Sequence, residues 1–153
     1  MRILKLALSV LSAAVVLTSC AQNIENENAL ENGTSVLTVV TSAEPETQLM
    51  ALILSKAAAD QGTPVRILLC DKGGDLALKT PPNISLQPLA PKNMSPAGLL
   101  TKLVGSGVKV DVCAIYLPNR EFGVDDLIDG VGVATPSDMA ANFTQNGAKV
   151  LSF

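Results

Sequence analysis

Residues 36–69 read VLTVVTSAEPETQLMALILSKAAADQGTPVRILL, and this stretch decides the fold. Val36-Leu37-Thr38-Val39-Val40 is a short β-branched apolar run, the pattern of a strand covered on both faces. Ser42-Ala43-Glu44-Pro45-Glu46 opens a helix. Proline suits a first turn that needs no amide hydrogen, and Glu46 meets the positive end of the helix dipole. The helix carries Leu49, Leu52, Ile53 and Ala57 and stops at Gly62. Residues 65–69 repeat the buried-strand pattern and deliver Cys70 at their end. Strand, helix and strand in this order make a parallel pair joined by a crossover.

The same alternation continues downstream. Residues 71–93 are polar and proline-rich, with a helical turn expected near 75–78. Ser95-Pro96 opens a second long helix, with Leu99, Leu100, Leu103 and Val104 on one side and Gly105 and Gly107 at its end. Residues 108–113 alternate at period two up to Cys113, and 114–117 are wholly apolar, so the strand is expected to continue through them. A short helix over 124–128 and a brief strand over 131–134 follow. Thr135-Pro136-Ser137-Asp138 is a capping pattern with proline at the first helical position. Met139, Ala140 and Phe143 give that helix an apolar side, Gly147 closes it, and 149–153 form a last strand in which Phe153 should bury its ring. Strands separated by helices imply an α/β fold: a three-layer α/β/α sandwich around a mainly parallel, flavodoxin-like sheet of about five strands.

Upstream of the domain, Arg2 and Lys5 precede an apolar run over residues 6–17. The run is shorter than the roughly 20 residues of a spanning helix and matches a secretory signal. Leu17-Thr18-Ser19-Cys20 resembles the lipobox of bacterial lipoproteins. By that likeness residues 1–19 are removed and Cys20 takes lipid on its thiol. Residues 20–34, rich in Asn and Glu, would be a flexible tether, and 35–153 the domain. Acyl chains would attach the protein to a membrane without a spanning helix. Ala21 after Cys20 points to the periplasm-facing outer membrane of a Gram-negative cell.

Composition narrows the chemistry. The 153 residues include no His, which excludes Ser-His-Asp and Cys-His catalysis and His-ligated zinc. Aromatics are 3% with no Trp, and the net charge of -3 does not suit a phosphate-gripping surface, so no nucleic-acid partner is expected. Asp71-Lys72-Gly73-Gly74-Asp75 lacks the spacing and hydroxyl of a phosphate loop, and Gly130-Val131-Gly132 is half of a dinucleotide fingerprint. Asp125, Asp126 and Asp129 read as a solvated acidic helix start. No metal and no cofactor is expected.

Thiols remain. In parallel α/β sheets the working site lies beyond the C-terminal strand ends. Those ends carry Thr41-Ser42, Cys70-Asp71-Lys72 and residues 113–120. A thiolate at Cys113 or Cys70 would be stabilised by helix N-termini and by Arg120 or Lys72. The bland alternative is a small buried hydrophobe. Export favours a Cys70–Cys113 disulfide, but a flavodoxin-like order would place the first strand between the two cysteine strands. That is beyond the roughly 7 Å a disulfide can span, so separate thiols are expected.

The C-terminal half carries a family likeness. Residues 107–113 (GVKVDVC), Arg120, Gly123-Val124, residues 127–131 (LIDGV) and the closing residues 148–153 (AKVLSF) resemble the DsrE-like family of sulfur-relay proteins. The resemblance implies a small α/β sandwich assembled as a homotrimer or homohexamer, with a persulfide held on Cys113. The loop over residues 117–119 is two residues longer than the family pattern. The implied function is a periplasmic sulfur carrier, or sulfurtransferase-like protein, with Cys70 as second thiol. Its partner would be a sulfur donor or acceptor protein or a small thiol. The competing reading is a non-catalytic oligomeric binding or assembly module with a strand-end pocket.

Overall fold

A computed structural model describes residues 34–144 and 147–153. The predicted signal segment, Cys20 and nearly all of the tether lie outside them. Strands β1 (Ser35–Val40), β2 (Val65–Leu69), β3 (Lys109–Cys113), β4 (Val131–Ala134) and β5 (Ala148–Ser152) form one sheet in the order β4-β3-β2-β1-β5. Every neighbouring pair is parallel. The α/β sandwich read from the sequence is the fold of the chain.

Helices α1 (Pro45–Asp60) and α3 (Pro96–Gly105) pack together on one face of the sheet, with the short α2 (Asn83–Leu86) against α3. Between them the core closes around Val40, Leu52, Ile67, Leu69, Leu99, Leu100, Val110 and Val112, which are fully buried or nearly so. A Ser55–Thr38 hydroxyl contact of 2.8 Å ties α1 to the middle of β1, and the Ser55 hydroxyl is also 2.8 Å from the Ala51 carbonyl. Both polar side chains are thereby satisfied where burial would otherwise penalise them. Ser95 caps α3 by accepting from the Gly98 amide, as the Ser-Pro pair predicts.

Helix α5 (Pro136–Thr144) covers part of the opposite face, with Met139 buried against Leu37, Leu68 and Ala134. Thr135 caps it by accepting from the Asp138 amide. Phe143, expected on its apolar side, is 47% exposed.

Two expectations are corrected. The first strand does not separate the cysteine strands, because β2 and β3 are direct neighbours in register, Leu69 beside Val112. The apolar run 114–117 does not extend β3 either. β2 ends at Leu69 and β4 at Ala134, so no partner strand remains beyond Cys113. The chain instead turns through exposed Ile115 into a short helix, α4 (Tyr116–Asn119), which buries Tyr116 and Leu117. Phe153 is half-buried against the main core, and its amide donates to the Val39 carbonyl at 2.9 Å.

Candidate functional site

The cysteines meet where β2 and β3 end. Their alternating side chains place Arg66, Leu68 and Cys70 on the same face as Lys109, Asp111 and Cys113. The Cα atoms of Cys70 and Cys113 are 5.2 Å apart and the two sulfurs are in disulfide contact. That separation lies within the range a disulfide spans. The expectation of separate thiols therefore fails with the strand order that motivated it.

Both cysteines are partly buried against the small apolar cluster of Leu37, Leu68, Ala134 and Met139. They are not equivalent. A cavity of about 240 Å³ opens beside Cys113, walled by Leu68, Ala114, Ile115, Ala134, Pro136 and Met139. Cys113 is the only cysteine in that lining among the described residues. In register, Cys113 has Ala134 of β4 on one side and Cys70 at the end of β2 on the other. The cavity wall carries no charged side chain among the described residues, but the first turn of α5 forms part of it. That turn carries the Asp138 carboxylate, and its Asp138 amide is taken by Thr135.

Cys70 is held from the main chain. Its amide donates to the Val40 carbonyl, and its own carbonyl accepts from the Gly73 amide, each at 2.9 Å. The second bond starts the 3₁₀ helix Asp71–Ala77, the structured form of the turn expected near 75–78. Arg120 and Lys72 lie with carboxylates: Arg120 with Asp71 at 2.6 Å, Lys72 with Asp75 at 3.7 Å. Thr41 and Ser42 serve the backbone. Thr41 donates its amide and hydroxyl to the Phe153 carbonyl, and Ser42 accepts from the Glu44 amide. Neither lines the cavity. Ala134, Pro136 and Met139 read in the sequence only as strand, cap and helix residues; their place beside Cys113 is made by chain crossings, and the sequence carries no local signal for it.

Behind the cysteine pair, the Tyr116 hydroxyl donates to Asp75 at 2.9 Å while its ring lies over Gly74. Burial, and secondarily that hydrogen bond to a carboxylate, push the phenol well above its ordinary range. The stability this environment gives is fully present below pH about 10, the unfolded value, and is lost as pH rises toward the folded one. Tyr116 is the sole tyrosine of the chain. Ultraviolet titration should therefore show no tyrosinate in the native protein at pH values that fully ionise a denatured control. The alkaline fall in melting temperature should flatten in Tyr116→Phe; a native titration matching the denatured one would refute this.

A second, larger hollow of about 520 Å³ lies between α1 and residues 89–94, lined by Leu49, Ile53, Ala57, Leu89, Pro91 and Met94. It holds no thiol.

No family model and no curated protein matches the sequence. Solved structures do. YchN from E. coli is 22% identical over 78% of this chain and 99% of that one, with a TM-score of 0.64. MTH1491 from Methanobacterium thermoautotrophicum, a protein of unknown function, is 17% identical over 78% of this chain and 97% of its own, with a TM-score of 0.55. These likenesses show the fold.

Proposed function

We propose that the protein is a sulfane-sulfur carrier of DsrE-like type in which Cys113 is the loading thiol. The observation that carries this reading is the position of Cys113, alone of the two cysteines, on the wall of the strand-end cavity. A thiolate there attacks the terminal sulfur of a polysulfide. One S–S bond forms, one breaks, and the shortened polysulfide leaves with the displaced electron pair. The cavity is several times the roughly 30 Å³ share of one water, so the transferred sulfur fits beside Cys113 with room for a small donor. The wall around the transferred sulfur is mainly apolar and holds no other cysteine among the described residues.

Export, lipid attachment through Cys20 and assembly as a trimer or hexamer belong to the same reading and come from the resemblance and the N-terminal sequence. Among the described residues no helix is long and apolar enough to cross a membrane, and the lipid anchor does not need one. Arg120 and Lys72, held in ion pairs with Asp71 and Asp75, and Thr41 and Ser42 at the end of β1 lie outside the cavity lining and take no part in this reading.

The test is intact-mass analysis. Protein reduced with a phosphine, then freed of it, is exposed briefly to inorganic polysulfide. Cys70→Ser should gain the mass of one sulfur atom, and Cys113→Ser should gain none. Loading of Cys113→Ser, or no loading of folded Cys70→Ser, would overturn the assignment and leave the binding-module reading in its place.

A further inference from the structure

We infer that Cys70 is a resolving thiol, so that the protein does not only hold sulfane sulfur but reduces it and releases hydrosulfide. The inference rests on the loading of Cys113 and adds a second chemical step to it.

The geometry is that of a displacement at sulfur. Cys113 is in sulfur–sulfur contact with Cys70 and also borders the cavity, whose wall runs from Leu68 of β2 to Ala134 of β4 and the first turn of α5. A sulfur atom added to Cys113 has that cavity to enter, and Cys70 does not line it. Attack by Cys70 on the Cys113 sulfur then expels the added sulfur into the cavity. The approach is already made, because Cα atoms 5.2 Å apart bring the sulfurs together without moving either strand.

The balance is simple. The Cys113 persulfide anion and the Cys70 thiol become the Cys70–Cys113 disulfide and hydrosulfide. The outer S–S bond breaks, the inter-cysteine S–S bond forms, and the thiol proton ends on the departing sulfur. The sulfane sulfur gains two electrons and the two cysteine sulfurs together lose two. The leaving group departs through the cavity. Cys70 is not part of the cavity wall, so a donor arriving there meets Cys113 first. Loading and resolving are thereby assigned to different cysteines. The disulfide is the end state of one turnover, and a dithiol reductant, reaching it by thiol–disulfide exchange, resets the site.

The experiment follows the full-length reduced protein after one pulse of inorganic polysulfide and rapid desalting. Wild type should lose its added sulfur at least tenfold faster than Cys70→Ser. It should release one hydrosulfide per chain and finish two hydrogens lighter than the reduced protein. The rate should not change on dilution, since both thiols belong to one chain. A dithiol should restore loading for a second cycle. Equal retention of sulfur by wild type and Cys70→Ser, with no hydrosulfide, would overturn the resolving role and leave the carrier reading intact. Failure of both proteins to load would overturn the carrier reading itself. Because the wild-type mass change is diagnostic alone, the result does not depend on the variant folding.

Discussion

Gly73→Ala is expected to be among the most damaging single substitutions in the domain, at about 3 kcal/mol or more, the upper end of overpacking costs. A β-carbon at this position would collide with the Val40 carbonyl oxygen, lie 2.7 Å from its carbon and 3.3 Å from the Thr41 amide nitrogen. Those atoms cannot retreat. Val40 ends β1, which is hydrogen-bonded to β2 and β5, and its carbonyl already accepts from the Cys70 amide. The 3₁₀ helix would have to lift instead, exposing Leu76 and Ala77 and losing the Gly73 bond to the Cys70 carbonyl. Hydrosulfide release should slow with it, because Cys70 is positioned by that bond. Gly105→Ala is the control. A β-carbon there meets nothing within 4 Å, and alanine in a helix gains up to about 1 kcal/mol over glycine. Urea melts of the two variants should move in opposite directions; a Gly73→Ala midpoint equal to wild type would show that the helix is not seated on β1.

The elements were legible in the sequence because their signals are local. Buried runs at 36–40 and 65–69, Pro45 and Pro96 in first turns, Ser95 and Thr135 as caps, and Gly62, Gly107 and Gly147 with positive φ at helix ends each state a boundary in a few residues. Strand order has no such signal. A right-handed crossover ties the direction of each step to the face its helix covers. With α1 and α3 on one face, β1, β2 and β3 step the same way across the sheet, and β4 continues in that direction. α5, on the other face, carries the chain back to β5 beside β1. An amphipathic helix shows that it has a buried side, not which face of the sheet receives it. Cys70 and Cys113 were thus visible as strand-end thiols, while their adjacency depended on a choice of face that no residue states. The cavity was hidden for the same reason. Its wall joins Leu68 to Met139, and only the return path of α5 makes them neighbours.

Asp111→Ala should cost about 3–5 kcal/mol in the reduced protein, as expected when one partner of a buried ion pair is removed. Asp111 is 4% exposed and takes two contacts from Arg66, Nε at 2.9 Å and Nη2 at 2.8 Å. Space for that carboxylate is left by Gly132 on the adjoining strand, where a β-carbon would come within 2.5 Å of Asp111 Oδ1. Three strands therefore cooperate around one charge pair. The loss comes mainly from stranding the Arg66 guanidinium in a site only 15% exposed, not from an intrinsically strong attraction. Replacing both partners, Arg66→Leu with Asp111→Leu, should therefore recover most of the stability that Asp111→Ala loses. The pair also lies on the same face as the cysteines and, like them, links β2 to β3, two residues earlier on β3 and four earlier on β2. It holds the register that brings Cys70 to Cys113. Asp111→Ala should accordingly slow disulfide closure under mild oxidant even where the protein remains folded, and the double leucine variant, which keeps the strands packed without the charges, should restore it. Urea melts of the reduced proteins and timed thiol counts supply both readouts. A loss below about 1 kcal/mol, the scale of a solvated surface pair, with unchanged closure would mean that register at the thiols is set without this ion pair.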